Sequence, residues 1–205
     1  MDGALRGGLL GAAAGEALGL PWVGRSPREI RRDRLADDVG PTGEVVAALL
    51  GAPSGGLAAA LALGWREPDP MARRRAALHL GFAPVLVADI ASWALERKPL
   101  YHLVADHAED WPPPFRGIGR DDRAVVDALM AVLHRHDEPG EGIRAAVRLG
   151  GEATGLLGGL VGAILGSRYP SAVTRLPWLE RVVLPAEADL ERAVAALGAR
   201  RAARG

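Results

Sequence analysis

Five glycines, at positions 155, 158, 159, 162 and 166, recur at spacings of three and four in a stretch whose 154–165 portion carries no charge. On a helix such spacings share a face. Without side chains that face admits a neighbouring helix at short range, so the stretch predicts the central, buried helix of a helical protein. Two adjacent glycines, Gly150 and Gly151, precede it. They can take backbone conformations barred to other residues, as a tight loop leading into a helix requires. Glu152 follows at once and puts a carboxylate near the helix N-terminus, where unsatisfied N–H groups favour an anion. A polar pocket is expected at that end.

Composition agrees. Apolar residues make up 49 % of the 205 residues and aromatic residues only 4 %, so the core has to be built from Ala, Leu and Val. Closely packed helices suit that palette better than a β-sandwich does, and the length fits a single domain over 1–205. Twenty-five acidic residues balance 25 basic ones, which gives no general electrostatic case for nucleic acid. Lys98 is the only lysine among the basic residues, an arginine bias that is no binding signal in itself. Cysteine is absent, which removes disulfides, thiolate ligands and a thiol nucleophile. The opening residues lack a basic stretch followed by an uninterrupted apolar core and cleavage site, so a secretion signal is not expected. The longest apolar run, 153–166, has 14 residues and is too short for an ordinary membrane span. The expectation is a cytoplasmic protein with neither nucleic acid nor membrane as partner, and with self-association open.

Read in order, the pattern predicts a helix over 4–20 with Leu5, Leu9, Leu10, Ala13, Ala17 and Leu18 near one face. A short charged helix over 25–34 would have Ser26 as cap and Pro27 at its first position. A helix over 42–50 would have Thr42 as N-cap. Apolar residues 57–63 form another. A long helix over 71–95 should be kinked or interrupted near Pro84. Helical character over 100–110 is followed by an extended Trp111-Pro112-Pro113-Pro114 linker. Further helices are expected from Asp121-Asp122 to about His136, over 141–149 and over 186–204. No strand alternation, repeat or glycine-rich phosphate loop interrupts this series. The fold class is all-α, a compact orthogonal multi-helix bundle.

Two histidine groups have metal-like composition but unsuitable placement. His102 and His107 are five apart and share a helical face poorly. His134-Arg135-His136-Asp137-Glu138 sits at a helix end, where positive charge complements the terminal carbonyls.

The segment from Arg144 to Ala163, with Leu149-Gly150-Gly151-Glu152-Ala153-Thr154-Gly155 at its centre, resembles the C-terminal signature of the ADP-ribosylglycohydrolase family. There a helix ends in Gly-Gly-Asp-(Ser/Thr)-Asp-Thr and an Ala/Gly-rich helix follows. The segment from Arg6 to Pro21, containing Gly15-Glu16-Ala17-Leu18-Gly19, resembles the family's opening helix with its Gly-Asp-Ala-Leu-Gly core. Thr42-Gly43-Glu44-Val45 matches the Thr-Asp-Asp-Thr helix start best. Asp37-Asp38 is the alternative acidic pair if the loop is offset. Leu176-Pro177-Trp178-Leu179 resembles a Pro-Trp segment whose aromatic residue packs near the core. Ala77-Leu78-His79 followed by Phe82-Ala83-Pro84 resembles, more loosely, a central Thr-His segment. The departures concern chemistry. Glu16, Glu44 and Glu152 replace aspartates, Gly43, Thr154 and Gly155 replace further motif residues, and the glycine-rich substrate loop has no counterpart between Gly51 and Pro70.

The resemblance implies a helical fold and a dinuclear magnesium centre that binds ADP-ribose and positions a water for attack on the anomeric carbon. Carried onto this chain, it makes Glu44 and Glu152 the candidate catalytic and metal-ligating residues. Glu16, Thr42, His79, Gly150, Gly151 and Thr154 become candidate ligand-binding residues. Residue type alone argues otherwise at several of these positions. Glu16 would be exposed, His79 would be a satisfied core residue, and Thr42 and Glu44 are ordinary choices for a helix start. Magnesium needs hard oxygen ligands in near-octahedral array, and three glutamates with two threonines supply two ions poorly. The expected function is therefore a degenerate relative that binds an ADP-ribose-like or other small ligand without efficient hydrolysis. The alternatives are an active hydrolase of N- or O-glycosidic ADP-ribose bonds with a glutamate-based site, and a structural helical interaction protein.

Overall fold

The computed structural model describes residues 1–32, 35, 39–100 and 121–203. Asp37-Asp38, His102, His107, the 100–110 helix beyond Leu100 and the Trp111-Pro114 linker lie outside the described residues. Among the described residues the regular structure is helical throughout: α1 (Asp2–Gly19), α2 (Pro27–Arg32), α3 (Glu44–Leu49), α4 (Gly56–Arg66), α5 (Pro70–Leu78), α6 (Phe82–Leu95), α7 (Asp122–Arg135), α8 (Pro139–Arg148), α9 (Thr154–Arg168), α10 (Pro170–Val173) and α11 (Glu187–Ala202). Short 3-10 turns occupy Leu20–Trp22 and Leu179–Arg181.

The glycine stripe of α9 meets a second one on α1, and the two helices run antiparallel through the middle of the molecule. A Cβ placed on Gly11 would lie 2.0 Å from the Gly162 carbonyl oxygen, and one on Gly15 would lie 1.9 Å from that of Gly158. Gly7 faces Gly166, and Gly19 faces Thr154 and Gly155, in the same register. Backbone therefore packs on backbone over four turns. Such contact gives up side-chain burial at the seam and gains dispersion and Cα–H···O contacts instead. The two helices are shielded on their remaining faces as well: α3, α8, α10 and α11 pack on α1, while α3, α4, α6, α7, α8 and α10 pack on α9. Both are buried nearly all round, which explains why neither shows a clear polar face. Trp178 closes the arrangement. It is fully buried, donates its indole N–H to the Ala14 carbonyl at 3.1 Å, and has the Arg144 guanidinium 5.1 Å from its ring centroid.

Local chemistry sets the helix boundaries. Asp121 accepts the Ala124 N–H at 3.0 Å and caps α7; Glu138 accepts the Glu141 N–H at 2.8 Å and caps α8. Ser26 and Glu29 form a capping pair about Pro27, with Glu29 accepting from both the Ser26 amide and its hydroxyl at 2.7 Å. The long 71–95 helix is divided into α5 and α6. The break falls at His79–Gly81 rather than at Pro84, because Gly81 takes φ +127°. Pro84 itself sits in the first turn of α6, where a missing N–H leaves no hydrogen bond unmade. The apolar 57–63 segment extends to the full span of α4. Buried Asp89 on α6 pairs with buried Arg73 at 3.0 Å and with exposed Arg74 at 2.7 Å, which fastens the α5 end of this hairpin to α6.

No helix among the described residues is long and apolar enough to cross a membrane.

Candidate functional site

A cleft of about 270 Å³ opens at the N-terminal end of α9, where the sequence placed a polar pocket. Its wall brings together Glu16 from α1, Glu44 from the first turn of α3 and Glu152 from the loop before α9, with Leu20, Val23 and Leu156 between them. Three carboxylates, two near the start of the chain and one more than a hundred residues beyond them, thus reach one depression. Glycine–glycine packing of α1 on α9 sets the relative height of Glu16 and Glu152, and the docking of α3 on both adds Glu44.

The three carboxylates are not equivalent. Glu44 and Glu152 are exposed. Glu16 is 1 % exposed, the reverse of what its residue type predicts. Its burial is possible because it caps α3 from a distance. Its Oε2 accepts the Gly43 amide at 2.8 Å and the Val46 amide at 3.1 Å, and Oε1 accepts the Val45 amide at 2.7 Å. The N-terminal N–H groups of a helix lack internal partners, and a carboxylate there also meets the positive end of the helix dipole. This overturns the assignment of Thr42 as N-cap. Gly43 is the N-cap residue, it supplies no side chain, and the cap bonds come from Glu16 on another helix. Space for Glu16 is provided by two glycines: a Cβ on Gly159 would lie 2.6 Å from Glu16 Cγ, and one on Gly43 would lie 3.0 Å from Oε1.

Burial raises the pKa of the Glu16 carboxyl above its ordinary 4.5; the three amides pull it back down, and the charge of Glu44 adds a smaller push upward. An acid whose folded pKa is raised holds its proton more tightly in the native state than in the unfolded chain. Its contribution to stability is therefore fully present below pH 4.5 and is lost as pH rises through the raised value. Urea unfolding followed across this window is expected to show that decline for the wild type relative to Glu16→Gln. Parallel pH profiles for the two proteins would contradict it.

The glycine loop is held by the segment that follows α1. Gly24 donates to the Gly151 carbonyl at 3.0 Å, and Gly151 donates to the Arg25 carbonyl at 2.8 Å. Gly150, at φ +67°, lies so close that a Cβ there would be 2.6 Å from the Arg25 carbonyl oxygen. Thr154 is buried and donates its hydroxyl to the Gly151 carbonyl at 2.6 Å. Gly150, Gly151 and Thr154 thus shape the loop and present Glu152, and none of the three lines the cleft. Thr42 is half-buried beside the α3 start without lining the cleft, and His79 is exposed at the C-cap of α5, neither in the core nor at the cleft.

Leu20, Val23 and Leu156 were not singled out from the sequence, nor was Gly24, whose φ of +79° leaves room beside Glu152 Oε1. The only sequence signal for Gly24 was its position after Pro21-Trp22-Val23, a turn marker with no functional content.

The dinuclear magnesium centre implied by the resemblance does not fit this donor set. Both Glu16 oxygens are engaged by backbone amides. Among the described residues no group of three or more Asp, Glu or His side chains is arranged to hold a metal ion. Two exposed carboxylates remain, and a hard divalent ion that prefers six oxygens gains little from them. In comparisons with known proteins the sequence matches no family model and no curated protein.

Proposed function

We propose that this chain is a degenerate ADP-ribosylglycohydrolase-like protein that binds an ADP-ribose-like ligand through its sugar hydroxyls and does not hydrolyse it efficiently. The observation that supports this most is the meeting of Glu16, Glu44 and Glu152, the three positions singled out by the motif resemblance, at one cleft.

The chemistry of the cleft favours the sugar over the phosphates. No arginine or lysine lines it among the described residues, so a pyrophosphate has no counter-charge there. Ionised carboxylates are acceptors only, and ribose hydroxyls are donors matched to them. Apolar Leu20, Val23 and Leu156 give the uncharged ring faces a surface to lie against. Two carboxylates across a cleft are also the general equipment for acid–base hydrolysis of a glycosidic bond, which keeps the glutamate-based enzyme as the second reading.

Calorimetric titration of magnesium, then of ADP-ribose with and without the metal, separates these readings. The expected result is ADP-ribose binding without magnesium, weakened about tenfold in Glu44→Ala and in Glu152→Ala, the usual loss for a hydrogen bond to a charged group. Saturable magnesium binding that disappears in both variants would favour the rebuilt enzyme. Binding of neither by the folded chain would overturn both readings in favour of a structural role.

A further inference from the structure

A second, smaller cleft of about 150 Å³ lies at the other end of α3. Its walls come from the C-terminal end of α3 (Leu49, Leu50), from Arg66 at the end of α4, and from Leu197 and Arg200 on α11. It contains no acidic residue. We propose that this cleft is an anion site in which Arg66 and Arg200 together clamp a doubly charged oxyanion such as phosphate.

Arg66 and Arg200 line the cleft with no carboxylate beside them. Among the described residues neither forms an ion pair. The one hydrogen bond of Arg66 runs from its Nη2 to the Ala48 carbonyl at 3.2 Å, and a guanidinium has four further N–H donors. The neighbouring residue Arg201 shows the contrast. It is buried, it donates to the Gly64 and Trp65 carbonyls at 3.3 and 3.4 Å, and it is paired with Glu96 and with the Ser92 hydroxyl. Arg201 thus already serves the α4 carbonyls it meets, and Arg66 and Arg200 are not needed there. Both of them instead face the same small cavity.

Two like charges brought together without a counter-ion destabilise each other, and the effect grows where solvent is displaced. Arg66 is half-buried, and its guanidinium is pushed below the usual arginine range first by that burial and then by the charge of Arg200. An anion between them would relieve the repulsion, and its opposite charge would oppose the effect of burial. Guanidinium forks match the tetrahedral oxygens of phosphate, and two positive charges call for a dianion rather than a carboxylate. The walls contributed by Leu49, Leu50 and Leu197 exclude water from one side, so the charge-assisted bonds are not fully screened. This cleft is separate from the Glu44–Glu152 cleft, which presents the opposite charge at the first turn of α3.

Calorimetric titration of the full chain with inorganic phosphate, against sodium chloride at matched ionic strength, tests the proposal. One saturable phosphate site is expected. Arg66→Gln and Arg200→Gln should each weaken it about tenfold or more, while Arg75→Gln, the same charge change at an exposed site on α5, should leave it unaltered. Arg200 is exposed, so its variant retains the fold and isolates the ligand effect. Butyrate is expected to bind at least about tenfold more weakly than phosphate. Absence of saturable phosphate binding, or equal losses in all three variants, would overturn the site. Equal affinity for butyrate would overturn the dianion assignment.

Discussion

Gly15→Val is expected to destabilise the chain by roughly 3–5 kcal/mol, a large share of the total stability of an ordinary domain. The obstacle is backbone. A Cβ at this position would meet the Gly158 carbonyl oxygen at 1.9 Å and the Gly159 amide nitrogen at 3.0 Å. A flexible side chain could swing away, but a helix can only move as a body. Separating α1 from α9 at Gly15 opens the same seam at Gly11 and Gly19, where the carbonyls of Gly162 and Thr154 are comparably close. The cost therefore exceeds that of ordinary overpacking, about 1–3 kcal/mol. Gly3→Ala is the control. It lies on the same helix with open space around it, and replacing glycine by alanine in a helix should stabilise by about 0.5–1 kcal/mol. Urea unfolding of both variants by far-ultraviolet circular dichroism gives the comparison. A Gly15→Val midpoint equal to that of the wild type would show that the close approach is not required.

This seam also shows how far the sequence could be read. The α9 stripe predicted a buried helix with a close neighbour, and both are found. The neighbour was not identified, although Gly7, Gly11, Gly15 and Gly19 stand at intervals of four on α1. The leucines of α1 suggest one apolar face, but a helix buried on all sides has no single face that marks its partner. Most helix starts were legible, since Ser26-Pro27 and Asp121 cap through local side chains. The start of α3 was legible too, within 42–50, but its capping group was not. Its cap comes from Glu16, 27 residues before Gly43, and long-range hydrogen bonding leaves no local pattern. The candidate site divides in the same way. Residue identity and motif order singled out three carboxylates that line one cleft. Which of them is buried, and which loop residues are structural, depended on contacts between helices that spacing does not encode.

The replacements at the cleft also form a physical unit. A glutamate at 16 reaches one methylene further than an aspartate, and that reach carries its carboxylate onto the α3 amides. The same reach needs Gly43, where any side chain would press on Oε1 at 3.0 Å. The glycine at 43 and the long side chain at 16 therefore act together, and the carboxylate ties α1 to the start of α3.

That role predicts the consequence of removing it. Glu16→Ala is expected to cost about 3 kcal/mol, assembled from a lost helix cap at about 0.5–2 kcal/mol and from amides left without acceptors at about 1–3 kcal/mol. The Val45 and Val46 amides sit in fully buried residues, so water reaches them poorly once the carboxylate is gone. The alanine also leaves a void against Gly159, which has no side chain to fill it. Glu16→Gln should cost less than Glu16→Ala. Its single acceptor oxygen replaces two, and its amide nitrogen would face N–H groups that need acceptors. The ordering wild type, then Gln, then Ala in unfolding free energy is the signature of a carboxylate acting as a cap. Local exchange reports the same event: the Val45 and Val46 amides should lose hydrogen-exchange protection in Glu16→Ala before the α1–α9 seam does. If Glu16→Ala unfolded at the wild-type midpoint and kept that protection, the cap would have no energetic weight. Glu16 would then be free to act at the cleft as a ligand.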